Sequence, residues 1–225
     1  EGFKRKLAAI LSADVVGYSR LMDDDEEATV LTLNSYRTAM SDLIQQYRGR
    51  VVDTTGDNLM AEFTSVVDAV NCAVEIQDEL AERNVELPDG RKMEFRIGAN
   101  VGDVIEKEGR IYGDGVNIAA RLEGLAQAGG ICISGRVYDQ IENKLDLKYE
   151  FLGEQKVKNI TRPVRVYRVV SCPDIATQAP DLSTHEQVYR ERIKTCYAEE
   201  AAYYVPLAAE TTEVVCDQPV KAPRT

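Results

Sequence analysis

VVDTTGDNLMAEF, residues 51–63, has the pattern of a β-hairpin. Two valines lead into a Thr-Thr-Gly-Asp-Asn run and an apolar segment leads out of it, which is typical of two short strands joined by a tight turn. Two acids flank the turn of the hairpin, Asp53 among the strand residues and Asp57 at the tip. An aspartate in a turn is ordinary in itself, because its side chain bonds to nearby backbone groups. Any further role of these acids depends on what the rest of the chain places beside them.

Strands and helices alternate on both sides of the hairpin. Apolar periodicity, turn residues and helix caps predict, in order, a strand beginning the stretch 6–19, helices over 23–47 and 65–84, two strands over 93–112 bent around Gly102, a helix over 113–127, a strand over 130–134, a helix over 135–145 and a closing strand pair over 149–170. This order indicates an α/β (α+β) domain over 5–170. Its mixed, ferredoxin-like sheet is flanked by helices and is not doubly wound.

The composition changes after Val170. A stretch rich in Pro, Ser and Asp predicts a linker, and Ser183 opens a capping-box pattern that predicts a helix before a C-terminal tail. The simplest interpretation of this extension, residues 171–225, is therefore a linker and an amphipathic helix. The alternative is a dimerising or autoregulatory helix, because Tyr189, Ile193, Tyr197 and Ala201 share one helical stripe.

Composition and charge limit the class of protein. The 225 residues are 44% hydrophobic and 29% charged, which is typical of a globular protein. The net charge of −11 argues against nucleic acid and anionic lipid as partners, because both would need a basic surface. The five cysteines form no CxxC motif and are expected to be reduced thiols in the cytoplasm. The only histidine, His185, lies in the extension, so histidine-dependent catalysis is not expected in the domain.

The apolar runs and the first residue of the chain indicate which membrane contacts and further domains to expect. No apolar run approaches the roughly 20 residues that span a bilayer, so no membrane contact is expected from this chain. The sequence opens at Glu1 instead of Met, which suggests a fragment. Sensor or effector domains, or a membrane tether, could therefore be missing from it.

Three short segments combine the residue types that handle phosphate chemistry. The first, SADVVGY, places Asp14 where an apolar strand ends at a glycine turn, and the second is the hairpin turn with Asp57. Two acids at adjacent strand ends can hold paired divalent cations against a phosphate. The third, GDGVNIAAR, puts Asn117 and Arg121 four residues apart, and therefore on one face of a helix. An arginine beside an amide suits the charge that develops on a reacting phosphoryl group.

Each segment alone also has a purely structural explanation. Most acids in such positions only stabilise a turn. On spacing alone, Arg121 is more simply an exposed arginine paired with Glu123 or Asp114.

Taken together, the three segments resemble the catalytic domain of the class III nucleotide cyclases. The resemblance runs from about Lys6 to Val169, with ADVVGYS similar to the family's first metal-aspartate motif and TTGDNLMAEF to its second. YGDGVNIAARLE is similar to the helix that carries the transition-state asparagine and arginine. The order and separation of the motifs agree with the family as well.

The resemblance implies a role for each matching residue. Asp14 and Asp57, with the backbone carbonyl of Val15, would hold two Mg²⁺ or Mn²⁺ ions that activate the ribose 3′-hydroxyl and bind the triphosphate. Asn117 would position the ribose, and Arg121 would neutralise charge on the reacting phosphorus.

Further expectations follow from the family. Lys158, or failing it Lys156, would bind the leaving phosphates. The metal and transition-state residues would meet across the two-fold interface of a homodimer with two equivalent sites. ATP is the expected substrate, and the product would be a 3′,5′-cyclic nucleotide for intracellular signalling.

The two base-recognition positions depart from the family pattern. Asp53 stands where the family usually has a lysine, and Arg110 stands where it usually has an aspartate. The exchanged pair could recognise the base with donor and acceptor reversed, or it could close into a salt bridge that ignores the base. It could also mark a pseudo-cyclase that binds nucleotide for regulation. Counting hydrogen bonds does not select a base, because adenine and cytosine present the same edge and a rotated guanine or uracil presents a matching one.

Two other classes of protein stay open at this point. A regulatory module would bind nucleotide or a partner without turnover. A diguanylate-cyclase-like domain would share the sheet, but its hairpin normally contains a GG[DE]EF-type motif, whereas the hairpin here has TTGDNLM.

Overall fold

The structure, a computed structural model, describes residues 4–156 and 163–170. The strands are β1 (Lys4–Val15), β2 (Arg50–Asp53), β3 (Leu59–Phe63), β4 (Phe95–Lys107), β5 (Arg110–Tyr112), β6 (Ile131–Ser134), β7 (Lys148–Gln155) and β8 (Val164–Val170). The helices are α1 (Tyr18–Asp24), α2 (Glu26–Gln46), α3 (Val66–Val85), α4 (Asp114–Leu125) and α5 (Gly135–Ile141), with one 3-10 turn at Asp89–Arg91.

The strands form one mixed sheet in the order β2-β3-β1-β4-β6-β8-β7, and the short β5 pairs with β4. β1 runs antiparallel to both of its neighbours, whereas β4 and β6 are parallel. The first half follows the chain order β-α-β-β-α-β with the pairing of a ferredoxin-like unit, which confirms the predicted fold.

The two faces of the sheet bury different partners, because successive strand residues point to opposite sides. On one face Ala9, Leu11 and Ala13 of β1 join the main core with apolar residues of α2 and α3. On the other face Ala8 and Ile10 belong to a smaller cluster that is covered by α4. Ser12 and Asp14 continue this second face toward the C-terminal end of β1. The candidate site therefore lies on the side of α4.

Glycines allow α4 to lie close against β4. A Cβ atom at Gly98 would stand 2.2 Å from the carbonyl oxygen of Ala119, and one at Gly102 would stand 3.4 Å from Cα of Gly115. The predicted bend at Gly102 is wrong, because β4 continues through it and the chain turns at Glu108 and Gly109. Gly102 provides room for the helix and does not reverse the chain.

Two helix predictions have different outcomes. The helix over 65–84 is confirmed as α3, and Ser65 caps it by accepting a hydrogen bond from the backbone N–H of Asp68. The helix over 23–47 is α2 with a later start. Asp25 ends α1 and caps α2, accepting from the N–H of Ala28 at 3.0 Å.

Several other expectations concern parts of the chain that the structure describes only in part. Cys72 and Cys132 are buried free thiols, and burial raises their pKa to about 12 and about 11. Within residues 4–156 and 163–170, none of the helices has the length and apolar character to span a bilayer. The linker, helix and tail predicted over 171–225 lie outside the described residues.

Candidate active site

Asp14 and Asp57 come together where β1 ends beside the hairpin turn. Asp14 is the penultimate residue of β1, and the pairing of Ala13 with Leu59 brings the turn before β3 next to it. The pKa of the Asp57 carboxyl is raised, first by burial and then by the charge of Asp14, while a backbone hydrogen bond from Val15 acts in the opposite direction. The sequence placed these three residues in one site, and the structure brings them into contact.

The donor set at this corner suits a hard divalent cation. Mutual repulsion of two carboxylates is relieved by a cation between them, and carboxylate and carbonyl oxygens are ligands that Mg²⁺ and Mn²⁺ prefer. In the part of the chain that the structure describes, no group of three His, Cys, Asp or Glu side chains is placed to hold an ion. A cation at Asp14 and Asp57 would therefore complete its coordination with backbone, water or phosphate oxygens, as Mg²⁺ commonly does.

Arg96 is a site residue that the sequence analysis missed. It faces Asp14 across the β1–β4 pair, and its Nη2 lies 2.7 Å from Oδ2 of Asp14. The Nε of Arg96 is buried without a hydrogen-bond partner. The sequence offered one signal, a charged residue inside the apolar FRIGAN stretch of β4. Strand alternation puts Arg96 on the same face of the sheet as Gly98.

Glu123 is a second residue that was missed as part of the site. Its side chain is buried and accepts hydrogen bonds at Oε2 from Oγ of Ser12 at 3.0 Å and from Nδ2 of Asn58 at 3.3 Å. Its Oε1 lies 3.8 Å from Nη2 of Arg96. Burial, together with the charges of Asp14 and Asp57, raises its pKa to about 7, although Ser12 and Arg96 act in the opposite direction.

Asn117 and Arg121 lie on the exposed face of α4. The opposite face, with Ala119 and Leu122, packs on the sheet. The pairing of Arg121 with Glu123 considered from the sequence is wrong, because Glu123 is turned inward to Ser12 and Asn58. Among the described residues no hydrogen bond or ion pair joins Asn117 or Arg121 to Asp14 or Asp57.

Asp53 and Arg110 approach each other at the edge of the second face. Nη2 of Arg110 lies 3.8 Å from Oδ1 of Asp53, and the two side chains are 61% and 37% exposed. The same Oδ1 accepts hydrogen bonds from N–H of Thr54 and Oγ1 of Thr55, both at 2.9 Å. A long, exposed ion pair contributes little to stability, so the two groups could separate around a ligand at small cost.

Arg37 of α2 forms hydrogen bonds to the backbone of the hairpin turn. Its Nη2 donates to the carbonyl oxygens of Gly56 and Asn58, the second at 3.0 Å. These two residues flank Asp57, and Gly56 has a positive φ of 65°. Arg37 therefore fixes the backbone from which the Asp57 carboxyl projects.

The phosphate-binding lysines are only partly described. Lys156 is exposed and follows directly after β7. Lys158 lies outside the described residues.

Residues 4–171 match the family model described as the adenylate and guanylate cyclase catalytic domain. The chain is 40% identical over 187 residues to a Rhizobium meliloti (strain 1021) protein named "Putative adenylate cyclase 3", covering 80% of this chain and 32% of that protein. The chain thus spans about a third of the length of this relative.

Two solved structures share the fold. An adenylate/guanylate cyclase/hydrolase from Silicibacter pomeroyi is 41% identical with a TM-score of 0.71, covering 76% of this chain and 100% of that one. The adenylyl cyclase CyaB from P. aeruginosa is 27% identical with a TM-score of 0.66, covering 76% of this chain and 97% of that one.

Proposed function

The chain belongs to the family of adenylate and guanylate cyclase catalytic domains, and on that premise we propose that it converts ATP to 3′,5′-cyclic AMP and pyrophosphate. The observation that carries this proposal is the contact between Asp14 and Asp57 at the end of β1. The product would serve intracellular signalling. The reduced thiols expected of Cys72 and Cys132 fit the cytoplasm, where nucleoside triphosphates are available.

The acids of this corner would hold two Mg²⁺ or Mn²⁺ ions. Asp14, Asp57 and the carbonyl of Val15 would provide the protein ligands. When bound, such ions lower the pKa of a coordinated hydroxyl and neutralise phosphate charge. Arg96 lies against Asp14 and would move from that carboxylate to the triphosphate as the cations take its place.

The chemistry is an in-line displacement at the α-phosphorus. The ribose 3′-oxygen forms the new bond to phosphorus, its proton is lost to solvent, and the bond to the pyrophosphate oxygen breaks. Asn117 would orient the ribose, and Arg121 would neutralise charge on the five-coordinate phosphorus. Lys156 or Lys158 would bind the leaving phosphates.

Two copies of the chain would form the working enzyme. Asn117 and Arg121 are exposed, and no contact within the described residues joins them to the acids of their own chain. A homodimer would place these two residues of one copy beside Asp14 and Asp57 of the other, giving two equivalent sites.

A product screen tests the reaction. The protein is incubated separately with ATP, GTP, CTP and UTP, with Mg²⁺ and then Mn²⁺, and the products are identified by mass spectrometry. We expect cyclic AMP from ATP and no product from the Asp57→Ala protein. A folded, dimeric protein that binds nucleotide but cyclises none of the four would instead indicate a regulatory binding module.

The same screen tests the pair formed by Asp53 and Arg110. If the two side chains separate to recognise the base, Asp53→Ala should lower kcat/KM for the preferred nucleotide by about tenfold, the usual effect of one lost base contact. The rate for disfavoured nucleotides should change much less. An unchanged ratio between nucleotides in Asp53→Ala and Asp53→Lys would mean that the pair does not select the base.

A further inference from the structure

Glu123 has no part in the proposed reaction, yet it is 7% exposed in the middle of the candidate site. A buried carboxylate is unfavourable unless hydrogen bonds and charges compensate for its lost hydration. Here two hydrogen bonds and one nearby guanidinium offset part of that loss, and all three come from different elements.

The partners of Glu123 are the immediate neighbours of the metal aspartates. Ser12 precedes Asp14 by two residues on the same face of β1, and its side chain is completely buried. Asn58 follows Asp57 directly, and its amide also donates to Oγ of Ser12 at 3.3 Å. Glu123, Ser12 and Asn58 thus form a closed triangle of hydrogen bonds between β1, the hairpin and α4.

The third partner, Arg96, touches an aspartate itself. Its Nη2 is 2.7 Å from Oδ2 of Asp14 and 3.8 Å from Oε1 of Glu123. If Arg96 moves from Asp14 to a phosphate, the carboxylate of Glu123 remains beside its guanidinium. The position of Arg96 is therefore limited even when its first partner is taken by a cation.

We propose that Glu123 is the positioning residue that fixes the spacing of Asp14 and Asp57, and so sets the affinity of the site for divalent cations. This inference rests on the proposed function for the identity of the cation ligands. Outer hydrogen-bond partners of metal ligands commonly contribute a factor of about 10 to 100 in metal affinity. Glu123 also belongs to α4, so it connects the helix of Asn117 and Arg121 to the acids of the same chain.

The test measures Mn²⁺ binding to the nucleotide-free protein by calorimetry, which does not depend on turnover. Glu123→Ala removes all three contacts and should weaken Mn²⁺ binding at least tenfold. Glu123→Gln keeps one acceptor oxygen and should fall between this variant and the unmodified protein. Should Glu123→Ala not fold, Glu123→Gln carries the comparison, with binding at least about threefold weaker.

Glu62→Gln is the matched control. Glu62 is also a buried carboxylate, 8% exposed on β3, but it pairs with Lys6 and Arg50 and touches neither aspartate. Its Mn²⁺ affinity should stay within twofold of the unmodified protein, even if its melting temperature falls.

The Mn²⁺ dependence of activity is a second measurement, and a purely structural role of Glu123 would not change it. In Glu123→Gln the Mn²⁺ concentration for half-maximal activity should rise, while kcat at saturating Mn²⁺ recovers most of its value. A folded Glu123 variant with unchanged Mn²⁺ affinity overturns the inference. If the unmodified protein binds Mn²⁺ but cyclises no nucleotide, only the proposed reaction fails, whereas cyclisation without Mn²⁺ binding to the nucleotide-free protein overturns only the inference on Glu123.

Discussion

At the scale of single residues, Glu123 shows how a site can weaken the fold that carries it. Its pKa of about 7 in the folded protein exceeds the ordinary value of 4.5, mainly because of burial. The folded state therefore holds its proton more tightly than the unfolded chain does. The contribution of this group to stability is complete below about pH 4.5 and is lost as the pH rises through about 7.

This linkage predicts a pH-dependent difference between two proteins. Relative to the unmodified chain, Glu123→Gln should gain stability between pH 5 and pH 8, by an amount on the order of 3 kcal/mol. Urea unfolding in EDTA at both pH values measures it. A difference in free energy of unfolding that does not change with pH would show that the Glu123 carboxyl titrates normally. If Glu123→Gln is more stable than the unmodified protein without cations but binds Mn²⁺ more weakly, then Glu123 positions the cation ligands and does not only contribute to packing.

The sequence pointed to candidate site residues only where they belong to a motif. Asp14 and Asp57 could be paired because strand ends and turns are visible in the pattern, Val15 came from the family resemblance, and the role of all three as cation ligands stays a prediction. Arg96 and Glu123 were missed, since their importance comes from pairing across the sheet and from which side of α4 is buried. Neither property can be derived from spacing along a single chain.

At the scale of elements, the hairpin depends on a helix that is distant in sequence. Arg37→Met would remove both hydrogen bonds to the carbonyls beside Asp57 and leave the helical fold of α2 intact. We expect faster amide exchange in the hairpin and a loss of cyclase activity of about tenfold, the order expected for a lost outer contact of the proposed cation ligand Asp57.

Arg83→Met provides the comparison for Arg37→Met. Arg83 binds Glu79 and Ser35 on the surface of α3 and α2, away from the turn. Exchange in the hairpin should be unchanged in this variant. Equal exchange rates in both variants would show that the turn holds its shape without Arg37.

The close contact of α4 with β4 gives a second prediction for an element. Gly98→Ala would force a Cβ to within 2.2 Å of the Ala119 carbonyl, and it should lower the free energy of unfolding by at least about 2 kcal/mol. Gly124 lies on α4 itself and has open space around it, so Gly124→Ala should be neutral or stabilising by up to about 1 kcal/mol. Thermal unfolding of the two variants measures the difference, and similar stabilities would mean that α4 can shift.

The elements themselves were largely predictable, and their errors have a common cause. The hairpin, α3 and α4 agree with the expected ranges, because apolar periodicity and caps are local signals. Gly102 was assigned to a bend because a glycine in a strand usually marks one. Its actual role is to admit Gly115 of a helix that follows later in the chain, and tertiary contacts of that kind leave no local signal.

At the scale of the whole molecule, the proposed dimer can be tested by mixing two inactive chains. Asp57→Ala would lack a proposed cation ligand and Arg121→Ala would lack the proposed transition-state arginine, so each alone should be nearly inactive. Random exchange in an equal mixture gives half heterodimers, each with one intact site, and therefore about a quarter of the unmodified activity. Failure to recover activity, with exchange verified by size and mass, would mean that each site is built from one chain.

The outward orientation of Asn117 and Arg121 has a consequence for dosage in a cell. If these side chains act only on a second copy, then well below the dissociation constant of the dimer the output grows with the square of the chain's concentration. Doubling expression would then quadruple the signal. A controlling segment would not need to reach the reaction centre at all, because holding two chains together or apart would be enough to switch it.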